Sequence, residues 1–159
     1  MPRTKQFEIA LSTFERIRAA FPALVMNLTL HPKHLDLAMY IPAQPGLSFD
    51  VDLNLQNNDE LHLSASSLWM EWFPCTYPDR VEKYFQAVSG LLSGQFRILE
   101  TWRGKRVVQA QLQCPSNGGW KTIARNWKGL WLPWPQKFFK IVQNLSTAQP
   151  VPDKVGPEA

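Results

Sequence analysis

The chain has 159 residues, 45% of them hydrophobic, and a formal net charge of +4; that length suits one domain with a proper core. No run of about 18 apolar residues exists to cross a membrane as a helix, and the basic start Met1-Pro2-Arg3-Thr4-Lys5 leads into no apolar signal core. Cys75 and Cys114 form no disulfide framework and no C-x-x-C pair, so they read as reduced thiols of a cytoplasmic protein.

Residues 6–20 read as a helix. Phe7, Leu11, Phe14, Ile17 and Phe21 recur at helical spacing, Glu8, Glu15, Arg16 and Arg18 lie outside them, and Pro22 ends the run. From Leu24 to Ser66 the period changes to two. Four runs alternate apolar and polar residues, beginning at Leu24, Leu35, Leu47 and Leu61, and turn material separates them: His31-Pro32-Lys33-His34, Pro42 to Gly46, and Gln56-Asn57-Asn58-Asp59. These predict an antiparallel meander with one leucine-lined face and one polar face. Pairing Leu30 with Leu35, Ile41 with Leu47 and Leu55 with Asp59 keeps the leucines together. On the polar side that register predicts one row Thr29–Asp36–Asp52–His62 and another Asn27–Ala38–Asp50–Ser64.

After Ser66 the apolar positions switch to Leu68, Met70 and Trp72, which a bulge near Ser66-Ser67 would explain. Thr76-Tyr77-Pro78-Asp79 predicts a helix start capped by Thr76. Val81, Tyr84, Phe85, Val88, Leu91 and Leu92 form the stripe, Gly90 weakens the helix, and Gly94 stops it. Gln95–Trp102 and Arg106–Cys114 predict a hairpin across Arg103-Gly104-Lys105, with a further strand at Trp120–Ala124. Leu99, Val107 and Ile123 lie on the side opposite the main apolar set of this hairpin, so both of its faces read as partly covered. Trp127 to Pro135 reads as an extended aromatic linker and Pro135–Leu145 as a short helix. The expected fold is α+β and two-layered: one twisted antiparallel sheet of about six to seven strands, in the order α-ββββ-α-βββ-α, with the helices mainly on one face. Residues 1–145 form the domain, and the Pro-rich 146–159 a disordered tail.

Charge is divided unevenly. Residues 1–94 carry 7 basic and 10 acidic side chains, whereas 95–140 carry 9 basic side chains against Glu100 alone. Three constellations follow. His31, His34 and Asp36 offer metal-type donors, but in a hairpin turn they read as plain polar surface. Asp36, Asp52 and His62 would be neighbours in the predicted row, where paired carboxylates shift each other's pKa; an open sheet face is nevertheless a poor catalytic setting. The segment 95–140 mixes Trp102, Trp120, Trp127, Trp131 and Trp134 with its cations. Nucleophile elbows, Walker loops and dinucleotide glycine patterns are all absent from the sequence.

The order helix, strands, helix, strands, helix resembles that of small bacterial secretion chaperones, and folds of this kind also serve as immunity proteins. The missing catalytic motifs, the uneven charge, the apolar excess on the second set of strands and the Trp and Arg residues predict a non-enzymatic cytoplasmic protein-binding domain, such as an immunity protein or chaperone-like inhibitor, whose partner is another protein such as a toxin or secreted substrate, or a second copy of itself. The expected contact residues are Trp69, Trp102, Arg103, Arg106, Trp127 and Trp131, with no metal and no cofactor. The competing expectation is nucleic-acid binding through Arg97, Arg103, Arg106, Lys121, Arg125 and Lys128.

Overall fold

The computed structural model describes residues 4–129 and 135–144. The first helix, α1 (Lys5–Ala20), begins where the Thr4 hydroxyl accepts the Phe7 N–H at 3.2 Å. That bond satisfies one of the amides a helix start leaves unpaired. Phe7, Ala10, Phe14 and Ile17 are buried along its inner side.

Five strands follow as a meander in sequence order: β1 (Asn27–Leu30), β2 (Leu37–Ile41), β3 (Val51–Gln56), β4 (Glu60–Ala65) and β5 (Leu68–Trp72). The two faces are those the alternation predicts. One row crosses all five strands as Leu28–Met39–Leu53–Leu63–Met70, and the next as Leu30–Leu37–Leu55–Leu61–Trp72. Residues of these rows on β2, β3 and β4 are fully buried under the helices in one hydrophobic cluster.

The registers differ from the expected ones, always by an even number of residues. Leu30 pairs with Leu37, Ile41 with Val51, and Leu55 with Leu61. An even slip leaves every side chain on its face but changes its neighbours. The first two loops run longer than expected and the third is shifted by one residue along the chain; His31 and His34 both turn through positive φ, as do Asn57 and Asn58. The polar rows are therefore Asn27–Tyr40–Asp52–Ser64–Trp69 and Thr29–Ala38–Asn54–His62–Glu71. The row joining Asp36, Asp52 and His62 does not form.

Ser66-Ser67 is also not a bulge. It is a two-residue hairpin turn with Ser66 at φ 52°, and Ala65 pairs with Leu68 across it. That turn adds a strand and ends the first sheet at β5.

Helix α2 (Pro78–Leu92) starts on Pro78 with Asp79 in its first turn, but Tyr77 and not Thr76 holds the cap position, without a side-chain bond. Gly90, which weakens the helix in isolation, is needed in place: a Cβ there would run into the Phe96 ring. Gly94 at φ 74° ends the turn after the helix. On the partner helix, Arg16 reaches Glu82 at 2.7 Å.

The remaining strands form a separate sheet, so the single-sheet expectation is corrected to two antiparallel sheets of five and four strands. They are β6 (Arg97–Arg103), β7 (Arg106–Ser116), β8 (Gly119–Trp127) and β9 (Lys137–Val142), in spatial order β8-β7-β6-β9. β9 replaces the predicted C-terminal helix. Phe138, Phe139, Ile141 and Val142 fit a helical stripe, but a helix this short nucleates poorly, whereas β6 offers a whole free edge with six paired positions. The middle of the expected aromatic linker, with Trp131, and the expected tail from 146 lie outside the described residues.

Ile98, Ala110 and Leu112 on one side of this sheet join the same core as the first sheet's leucines. Polar bonds join the two sheets. Ser66 and Ser67 at the β4–β5 turn both donate to the Glu100 carboxylate on β6, and the Trp102 indole donates to it at 2.9 Å. The Trp69 backbone N–H donates to Asn126 Oδ1 on β8, so this amide on β5 is bonded across to the second sheet. Asn144 accepts from the Ser48 N–H at 2.8 Å and donates to the Leu91 carbonyl at 3.0 Å.

Candidate functional site

Two surfaces concentrate chemistry. The first is the outer face of the second sheet. The registers place on it, row by row, Lys137–Arg103–Arg106, then Phe139–Thr101–Gln109–Trp127, then Ile141–Leu99–Gln111–Arg125, and then Arg97–Gln113–Thr122. The centre is a hydrogen-bonded chain. Arg97 Nε donates to Gln113 at 2.9 Å, Gln113 to Thr122 at 3.2 Å, Thr122 to Gln111 at 2.7 Å, and Gln111 to Gln109 at 2.9 Å. Burial lowers the pKa of Arg97 from its ordinary value, and its guanidinium stacks 4.0 Å over Trp120.

The rim is apolar and wet. Trp127 on β8 is 61% exposed, and Phe139 and Ile141 on β9 are 57% and 52% exposed. This reverses the usual sheet pattern, in which apolar side chains fill the middle and polar ones the margin. No carboxylate stands in these rows, while Arg97, Arg103, Arg106, Arg125 and Lys137 do.

The second surface is the polar face of the first sheet. At one end Asp50 accepts the Ala43 N–H at 2.7 Å. Asp52 lies beside it in a shallow hollow of 270 Å³ lined with Phe49, Ser64, Ala65 and Ser66. Burial, and then the charge of Asp50, raise the pKa of Asp52. A hydrogen bond to Asp50 raises that of Tyr40. At the other end His62 is 2% exposed. Its Nε2 lies 3.0 Å from Glu60 and 3.9 Å from Glu71, its Nδ1 meets Gln56 at 2.7 Å, and the Trp69 ring tilts against it at 5.2 Å. Hydrogen bonds from Asn57 and His62 lower the pKa of Glu60.

The expected contact residues are dispersed. Arg103, Arg106 and Trp127 lie on the outer face of the second sheet. Trp102 turns to the inner side, stacked on Phe138 at 6.0 Å. Trp69 stands on the polar face of the other sheet, and Trp131 lies outside the described residues. Of the cations proposed for nucleic acid, Arg97, Arg103, Arg106 and Arg125 share the outer face, Lys121 pairs with Cys114 on the opposite side, and Lys128 follows β8. Asp36 is apart from Asp52 and instead accepts the Asn58 N–H at 3.2 Å. His31 stacks on Phe7 at 4.8 Å.

The sequence pattern does not single out Phe139 and Ile141, whose spacing also fits a helix, nor the partners Glu60 and Glu71 of His62. The Glu60–His62 spacing of two residues on a strand was the available signal. Burial, and then Asp59, push the Cys75 thiol up to about 11, which keeps it protonated. Compared with protein-family models, curated proteins and solved structures, the chain matches none. No helix among the described residues is long and apolar enough to cross a membrane.

Proposed function

We propose that this is a non-enzymatic protein-binding module, in the manner of an immunity protein or chaperone-like inhibitor, and that its docking surface is the outer face of the second sheet with the β9 edge. The observation that carries this reading is the reversed pattern of that face, with exposed Trp127, Phe139 and Ile141 around a ready-made amide network. Aromatic and arginine side chains are the usual anchors of protein interfaces. The five cations, with no acid in their rows, favour an acidic partner and a fast encounter. β9 is an edge strand, and such an edge can add an extended segment of another chain by main-chain hydrogen bonds. Aliphatic Ile141 and Leu99, which offer nothing to a stacked base, favour a polypeptide over nucleic acid.

The test is capture of partners from lysate by the wild-type chain and by a Trp127→Ala/Phe139→Ala double variant. The reading expects a discrete protein that survives nuclease treatment, is retained between about 50 and 200 mM salt, and is lost with the double variant while its melting temperature stays close to wild type. Nuclease-sensitive material with steep salt dependence would instead favour nucleic-acid binding through Arg97, Arg103, Arg106 and Arg125. Equal capture by the variant would remove this face from consideration.

A further inference from the structure

We propose that Glu60, His62 and Glu71 form a binding site for a divalent transition-metal ion of the zinc type, clasping β4 to β5 on the face away from the helices. The donor atoms converge. One oxygen from each carboxylate and one imidazole nitrogen lie within 4.8 Å of one another. Zinc binds nitrogen and carboxylate oxygen at about 2.0–2.2 Å, so tetrahedral donors stand about 3.4 Å apart. The His62 Nε2 distances of 3.0 Å to Glu60 and 3.9 Å to Glu71 bracket that spacing. The half-exposed Glu71 can close the difference by a small rotation, while the backbone registers hold all three residues on one face.

The surroundings of the imidazole have the form a metal ligand requires. His62 is buried and tilted against Trp69, so its ring has one orientation. Its far nitrogen, Nδ1, is engaged by the Gln56 amide. Without a metal, Nε2–H donates to Glu60; a metal taking that proton's place shifts the proton to Nδ1, where Gln56 Oε1 accepts it once the amide is turned over. A second-sphere acceptor on the distal nitrogen is what fixes a ligating tautomer. Directly across from His62 on β3, Asn54 carries a buried side-chain oxygen with no hydrogen-bond partner among the described residues. A site with one imidazole and two carboxylates selects borderline metals over magnesium or calcium, which take all-oxygen shells. This proposal is independent of the docking surface on the other sheet.

The experiment is calorimetric titration of the chelator-treated, full-length protein with zinc chloride. The expected result is saturable binding of one ion per chain, at least about tenfold weaker in a Glu60→Gln/Glu71→Gln variant and unchanged in a His31→Ala/His34→Ala variant. Both carboxylates reach solvent, so the glutamine variant is expected to fold, and its far-ultraviolet circular dichroism checks this. Absence of saturable binding in the wild type, or equal affinity in the Glu60→Gln/Glu71→Gln variant, would overturn the site.

Discussion

The two sheets follow opposite rules. In the five-stranded sheet the apolar rows are covered by α1 and α2, and the polar rows stay on the other side. In the four-stranded sheet one side joins the core, but the other buries Thr101, Gln109 and Gln113 while leaving Trp127, Phe139 and Ile141 in water. Burial explains the first arrangement fully. It does not explain the second, because exposed aromatic rings on edge strands add little to folding and carry an association hazard. The first sheet carries most of the buried core, whereas the second shares that core on one side and leaves apolar rings in water on the other.

Matched substitutions on the two sheets test that division. Leu53→Ala on β3 removes a side chain that is fully buried in the leucine rows. It is expected to cost about 2–5 kcal/mol in urea unfolding, since the cavity adds to the lost burial. A loss below about 1 kcal/mol would mean that the first sheet does not carry the core.

Next comes the junction. Glu100 is buried, and burial alone would raise its pKa, but hydrogen bonds from Ser67, Ser66 and Trp102, together with the charge of Lys140, hold it below the ordinary glutamate value. A carboxylate with a depressed folded-state pKa contributes stability that is present above its unfolded value and lost as the pH falls through the folded one. Glu100→Gln is expected to lower stability at neutral pH by about 1.5–3 kcal/mol, the scale of hydrogen bonds to a charged group. The gap to wild type should narrow in acid. A gap that stayed constant from neutral pH to about pH 3 would show that the charge of Glu100 does not join the sheets.

The smallest effect belongs to the rim. Phe139→Ala is expected to change thermal stability by no more than about 0.5 kcal/mol, as for a surface residue. A loss of about 2 kcal/mol or more would make Phe139 a core residue and erase the contrast between the sheets.

Much of the first sheet was legible. A period of two tells which face each residue takes, and the even register slips left that answer intact. Which residues become neighbours depended on loop geometry, and His31, His34, Asn57 and Asn58 at positive φ are not dictated by the hydrophobic pattern. The turn at Ser66-Ser67 did leave a trace: Ala65 and Leu68 are both apolar, three positions apart, which is the spacing of residues facing each other across a two-residue hairpin loop. It is this turn that brings Glu71 opposite His62. The second sheet was less legible. Phe138, Phe139, Ile141 and Val142 match a helix stripe and an edge strand equally well, and only the vacant side of β6 decides between them.

Strand order bears on assembly as the chain is made. β1 to β5 pair only with sequence neighbours, so the first sheet can close through short loops. β6 pairs with β7 at once, but its other partner, β9, arrives after β7 and β8 have been completed. Until Lys137–Val142 emerges, the Glu100 strand has an open flank. During synthesis that flank is a row of unpaired backbone groups, open to pairing with another copy until β9 closes it.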